Sequence, residues 1–267
     1  MLEGPRIIVC FKYSLDVDEI QVDPNTNTPI LEQVPRKISD FDKNALEAAI
    51  KLKEEHGGEV IAVTACSVDP SKGVKEALAM GADMVYIVSD PSIEDSDAFI
   101  TSLLLAKAIK KIGTFDLIFC GEAAIDGFAG QVSAGLAEWL GIPQLSYVRK
   151  ISLANGKVVV ERTLEEGYPV LETPLPTLIS VTGEINEPRI PSLMMIMKAG
   201  KKPTTSWTIE DLGLSPERVG GAGSPIEVTK LVVPPSQRKQ ILLEGETPQE
   251  VAEKLVEELD KLGILGA

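Results

Sequence analysis

Four times in its first 140 residues this chain sets an apolar, β-branched run before a helical stretch that ends at glycine. The runs are Arg6–Phe11, Glu59–Ala65, Met84–Val88 and Leu117–Cys120. Continuous rather than alternating apolar character marks strands covered on both faces. After the first run, Phe41 to Glu55 reads as a helix with Phe41, Ala45, Ala48 and Leu52 on one face, stopped by Gly57 and Gly58. Ser71 to Met80 stops at Gly81, and Ile100, Leu104, Ala108 and Ile112 recur every fourth residue before Gly113. Strands alternating with helices require right-handed crossovers and build a parallel sheet wrapped by helices. The expected fold class is therefore α/β, with a doubly wound, mostly parallel, Rossmann-like sheet. A chain of 267 residues is long enough to bury such a core.

Sheets of this type bind ligands beyond the carboxyl ends of their strands, where the strand order reverses. Cys10, Ala65 and Gly121 stand at those ends. The fourth strand runs into a glycine-rich loop, Gly121 to Gly135, followed by a helix through Leu136–Leu140 that Gly141 and Pro143 close. Strand, glycine-rich turn and helix together make a nucleotide cradle: small residues let backbone N–H groups approach a phosphate, and the helix start adds partial positive charge. The loop matches neither GxGxxG nor GxxxxGK[ST]. Taken alone, it is equally a tight turn that packs a helix on a sheet.

Charge and composition exclude several classes of function. Acids outnumber bases 40 to 26, the net charge is −14, and aromatic residues are 4% of the chain. Nucleic acid and anionic membrane are repelled on average, and stacking platforms for bases are scarce. Three cysteines, Cys10, Cys66 and Cys120, are odd in number and lack metal-ligand spacing. Each closes an expected strand, so they read as small buried apolar residues with free thiols. The single histidine, His56, ends a helix rich in Lys and Glu. Histidine-based triads and metal sites are thereby excluded, and no side chain is assigned a catalytic or metal-ligating role. No apolar run reaches the length of a membrane span, and the N-terminus enters a strand almost at once. The expected location is the cytoplasm, with membrane contact only through partner subunits.

Elsewhere the alternation is interrupted. Ile20 to Leu31 reads as a hairpin excursion turning at Pro24 and Asn25. After Gln144–Val148, three strands follow without long helices: Val158–Leu164, Pro169–Leu171 and Leu178–Val181. From about Lys198 to Val228 the chain is rich in Gly, Pro, Lys and Ser, with one short helical turn near Glu210. Pro234 and Pro235 precede a final helix that carries Thr247 as N-cap, Pro248 in the first position and Glu250 for a capping box. Its apolar stripe is Val251, Leu255, Leu259 and Leu262, opposite Glu253, Glu257 and Asp260. The expected division is an α/β nucleotide- or flavin-binding domain over 1–197 and an extended arm with a terminal helix over 198–267. Such an arm docks on another subunit or folds back on its own domain.

Specific segments resemble the β subunit of electron transfer flavoproteins. Val160–Arg162, Glu165, Glu166, Glu172 and Pro176–Ser180 look like that family's signature. Asn186–Arg189, Pro191–Leu193 and Ile196–Lys202 resemble its recognition segment and lysine run. Asn44–Ala49, Ala77–Asp83, Ala124–Asp126 with Gly130 and Gln131, and Pro234, Pro235, Gln237 and Arg238 also fit. The similarity covers nearly the whole chain, and its weight comes from the combination rather than from any single motif.

The resemblance implies a heterodimer with an FAD-carrying α subunit. In single-flavin members the β subunit holds AMP as a structural ligand. In electron-bifurcating, Fix-like members a second FAD occupies that site. The short loop Asp126–Gln131, together with Glu166–Glu172 and Thr182–Ser192, has the Fix-like cast. Glu122 departs from it, standing where many relatives carry a basic residue, and Ser39-Asp40 stands where Asn-Pro is common. Carried over residue by residue, the cofactor contacts are Cys10, Phe41, Asp42, Ala65, Gly121, Asp126, Gly127, Phe128, Ala129, Gly130, Gln131 and Val132. Asp126 is expected to accept from a ribose hydroxyl or to clamp the loop's own N–H groups. Leu193 lies where the family presents an apolar anchor to partner proteins. The implied function is NADH-dependent electron bifurcation toward ferredoxin-like acceptors and a quinone oxidoreductase or dehydrogenase partner, with oxidoreductase activity belonging to the complex. The alternative is an AMP-binding structural subunit. A free-standing adenine-nucleotide module of the stress-protein kind is disfavoured, since it needs neither the C-terminal arm nor Asn186–Arg189.

Overall fold

The computed structural model of the chain describes residues 4–154, 156–234 and 240–265. Two compact units divide after Leu231. The first is built on a nine-stranded sheet. Its strands are β1 (Arg6–Cys10), β2 (Glu59–Cys66), β3 (Met84–Ser89), β4 (Leu117–Gly121), β5 (Gln144–Ala154), β6 (Lys157–Arg162), β7 (Val170–Pro174), β8 (Thr177–Val181) and β9 (Thr204–Trp207). Helices α1 (Asp40–His56), α2 (Ser71–Met80), α3 (Ala98–Ile112), α4 (Val132–Leu140) and α5 (Leu193–Ala199) connect them.

The sheet order is β7-β6-β5-β8-β4-β1-β2-β3-β9. All pairings from β5 to β9 are parallel, while β6 runs antiparallel to both β5 and β7. The architecture is α/β and mostly parallel, as the alternation implied. The chain steps from β1 to β2 and β3 on one side, then crosses to β4 on the other, so the order reverses between β1 and β4.

Strand alternation sends successive side chains to opposite faces, and both faces are dry. Ile7, Val9 and Phe119 join the core with Leu46, Ala49 and Leu78 from α1 and α2. Ile8, Cys10 and Ile118 join the other core with Leu104, Ile109 and Leu136 from α3 and α4. Each fully buried aliphatic side chain contributes about 1.5–3 kcal/mol.

The excursion after β1 is a double ribbon. Gln21–Val22 pairs with Pro29–Ile30, as expected, and Tyr13–Leu15 pairs with Arg36–Ile38 outside it. The boundary between units falls later than the composition change at 198 suggested. Thr204–Trp207 lies parallel to β3 as an edge strand, and Trp207 stacks on Tyr86 with ring centroids 4.7 Å apart. Leu193–Ala199, to which the sequence pattern assigned no element, is a helix.

The second unit carries α6 (Pro248–Lys261). Thr247 caps it by accepting from the Glu250 N–H, while the Glu250 carboxylate accepts from the Glu246 N–H rather than from that of Thr247. No residue of α6 is buried. Pro235, Gln237 and Arg238 lie outside the described residues. No helix is long and apolar enough to cross a membrane among the described residues.

Candidate nucleotide site

The carboxyl ends of β1 and β4 meet the N-terminus of α1, and Asp42 is the link. Its Oδ2 accepts the Lys12 N–H at 2.8 Å, just past β1, and its Oδ1 accepts the Gly121 N–H at 3.0 Å, at the end of β4. Asp42 is buried, which pushes its carboxyl up to about 7; the two N–H bonds and the Lys12 charge oppose this shift, and Asp126 adds to it. Gly121 is required by this packing. A Cβ there would stand 2.6 Å from the Phe41 Cβ and 2.7 Å from Asp42 Oδ1.

Beyond Gly121 the loop is tied to the β1 side. Asp126 Oδ1 pairs with Lys12 Nζ at 2.7 Å, and its Oδ2 accepts the Leu15 N–H at 3.3 Å. Asp126 is therefore a clamp, but onto the segment after β1 rather than onto its own loop. The Ser39 hydroxyl makes no cap bond to α1 and instead accepts the Ile125 N–H. Phe128, at φ 46°, packs edge-on against Phe41 with centroids 5.9 Å apart.

Gly127 through Gln131 is exposed, and nothing lies within 4 Å of a Cβ placed on Gly127. Gly130 takes a φ of 63°, in the left-handed region that glycine enters freely. Val132 then opens α4, whose N-cap, Gln131, makes no side-chain cap bond. The first N–H groups of α4 thus meet the loop with no side-chain cap, the arrangement that accepts an anion.

The structure brings Cys10, Phe41, Asp42, Gly121, Asp126 and Phe128 into one cluster. Cys10 and Cys120 are buried on adjacent strands, and their mutual hydrogen bond with burial raises the Cys120 thiol well above its ordinary range. Burial likewise pushes Cys66 up to about 11. All three thiols are free. Ala65 stands on the far side of β1, on β2 beyond Val63, the register partner of Cys10. Gly127, Ala129, Gly130, Gln131 and Val132 line the open part of the loop. Glu122, beside it, has its carboxyl raised by burial and by Glu184.

Two participants escaped sequence reasoning. Lys12 is the basic side chain that holds the loop, and its place just beyond β1 was the available signal. Ser39 stands at the N-cap position of α1, and its hydroxyl is spent on the loop instead.

Leu193 lies outside this cluster. It opens α5 under a Ser192 cap and is 75% exposed, beside the exposed Met194, Ile196 and Met197. The segment before it is fixed to α1. Asn44 and Asn186 exchange hydrogen bonds, and Arg189 pairs with Glu47 at 2.7 Å and Glu54 at 2.6 Å.

Comparison with known proteins identifies the family. Residues 28–212 match the family described as "Electron transfer flavoprotein domain". The chain is 41% identical to the "Caffeyl-CoA reductase-Etf complex subunit CarD" of Acetobacterium woodii, over 97% of this chain and 100% of that protein. It is 38% identical to the "Electron transfer flavoprotein subunit beta" of Thermoanaerobacterium thermosaccharolyticum, over 97% and 100%. It is 35% identical to "Protein FixA" of Azorhizobium caulinodans, over 96% and 94%. The matched domain covers the loop, α1 and every strand of the sheet except β1, and with the relatives it shows that the chain belongs to the electron transfer flavoprotein family as a β subunit of the Fix-like type.

Proposed function

We propose that the crevice between β1 and β4 binds FAD through its adenylate and diphosphate, and that this chain works in a heterodimer with an electron transfer flavoprotein α subunit. The complex would oxidise NADH and bifurcate its electrons toward a ferredoxin-like acceptor and a quinone-linked oxidoreductase or dehydrogenase partner. The observation that carries the nucleotide reading is the exposed loop Gly127–Gln131 leading into the uncapped start of α4 at the strand-order reversal.

In this reading the Gly127, Ala129 and Gly130 backbone admits the diphosphate, and the first N–H groups of α4 compensate its charge. Lys12 adds a positive charge that Asp126 holds in place. Phe41 and Phe128 form an apolar wall at the loop. Cys10 and Ala65 act through small size and backbone groups at the strand ends. FAD, when bound, supplies hydride acceptance and one-electron transfer, chemistry that no side chain here provides. Leu193, with the apolar face of α5, is the proposed contact for a partner protein. The arm and α6 are the proposed contact for the α subunit.

AMP as a structural ligand is the second reading. Glu122, a partly buried carboxylate beside the loop, opposes either ligand, since the AMP monophosphate and the FAD diphosphate each carry about two negative charges near neutral pH. Similarity to CarD and FixA supports FAD, as does the short Asp126–Gln131 loop. Chromatography of nucleotides released from the denatured heterodimer decides. Two FAD and no AMP are expected per heterodimer, whereas one FAD and one AMP would leave the structural-nucleotide reading.

A further inference from the structure

The carboxylates around the loop pose an electrostatic problem for any phosphate ligand. Asp42, Asp126 and Glu122 stand at or beside the crevice, and Lys12 is the cation paired into it. Asp126 has its charge met by Lys12. Asp42 has only backbone N–H groups in direct contact, from Lys12 and Gly121. The groups that face Asp42 are Lys12 beyond β1, Cys120 on β4, itself hydrogen-bonded to Cys10, and Asp126 in the loop.

We propose that Asp42 is a positioning residue of the nucleotide site that takes up one proton from solvent when a phosphate anion binds. The proposal rests on the nucleotide reading of the crevice. Asp42 fixes the start of the loop through Gly121 N–H and the end of β1 through Lys12 N–H. A carboxylate in that place is buried without a counter-ion of its own, so an arriving anion worsens the one charge that solvent cannot screen. Protonation removes this charge, and one oxygen still accepts from a backbone N–H. The balance is Asp42 carboxylate plus a solvent proton giving the neutral acid, with no electron transferred.

The sign follows from linkage. The free protein already holds the Asp42 carboxyl up to about 7. An anion raises it further, so binding takes up protons above that value. Affinity is then constant in the acidic range and weakens as pH rises, by up to about tenfold per pH unit for one linked proton.

The test is FAD titration of the nucleotide-free full chain across this range, since the FAD diphosphate does not itself titrate there. The wild type is expected to lose affinity with rising pH, Asp42→Asn to lose that slope, and Glu122→Gln to keep it. A flat wild-type profile, or an unchanged slope in Asp42→Asn, overturns the role of Asp42 and leaves the nucleotide reading standing. Binding of neither FAD nor AMP overturns that reading and this proposal together. If only AMP binds, the difference in slope between wild type and Asp42→Asn decides. Should Asp42→Asn fail to fold, wild-type calorimetry in buffers of unequal ionisation heat decides: net proton uptake is expected at mildly alkaline pH, and none overturns the proposal.

Discussion

Two glycines in the candidate site stand for opposite physical reasons, and substitution separates them. Gly121 has no room, because its missing Cβ leaves space for Phe41 and Asp42 at the end of β4. Gly121→Ala forces that contact apart and is expected to cost about 1–3 kcal/mol, read by urea denaturation. Gly127 has open space and no positive φ. Gly127→Val should therefore keep the fold while obstructing an approaching phosphate. The purified variant is expected to carry little nucleotide; unchanged content would place the phosphate elsewhere. Gly130→Val blocks the same approach but also strains a backbone at φ 63°, so its effect mixes two causes. Lys12 gives a third probe. It is 48% exposed, so Lys12→Met should barely change stability. It should nevertheless weaken nucleotide binding about tenfold, because the loop loses its clamp and the crevice its cation.

At the scale of elements, α1 joins two regions, with Asp42 at the loop and Asn44, Glu47 and Glu54 at the segment before α5. Glu47 is 3% exposed in its side chain, so Arg189→Met leaves a buried carboxylate whose remaining partners among the described residues are Lys51, at 3.7 Å, and the backbone N–H of residue 189. The expected loss is about 2–3 kcal/mol, below the range for a fully uncompensated charge. Glu47→Gln in the same chain should recover much of it, and a double variant whose loss equals the sum of the two single losses would show that the pair is not coupled. The strands and helices of the doubly wound core were legible because each carries its own period and its own glycine stop. Leu193–Ala199 was not, since a seven-residue helix between Pro191 and a lysine run shows less than two turns of pattern. Thr204–Trp207 was hidden for a related reason: a four-residue edge strand has one hydrogen-bonded side and no apolar run. The loop and its glycines were readable, but Lys12 pairs with Asp126 across 114 residues, a distance no local pattern spans.

At the scale of the whole molecule, the apolar residues divide unevenly between the two units. Every member of both buried cores lies before Leu231. The unit after it buries no residue of α6, and Leu255, Val256 and Leu262 are exposed on a helix with a well-made N-terminal cap. A stable cap on a helix with an uncovered apolar side is the build of an element that finds its core on another chain. Truncation after Val233 removes α6 and none of the two cores. The shortened chain is expected to keep its far-ultraviolet spectrum apart from one helix, and to unfold within a few degrees of the full chain, about 1 kcal/mol or less. The proposed nucleotide site, built from β1, α1, β4 and the loop, is untouched. What it should lose is co-purification with the α subunit. A truncated chain that still forms a stable heterodimer would assign the interface to the first unit and leave the arm an intramolecular role. A truncated chain that unfolds would show instead that α6 completes the stability of its own subunit.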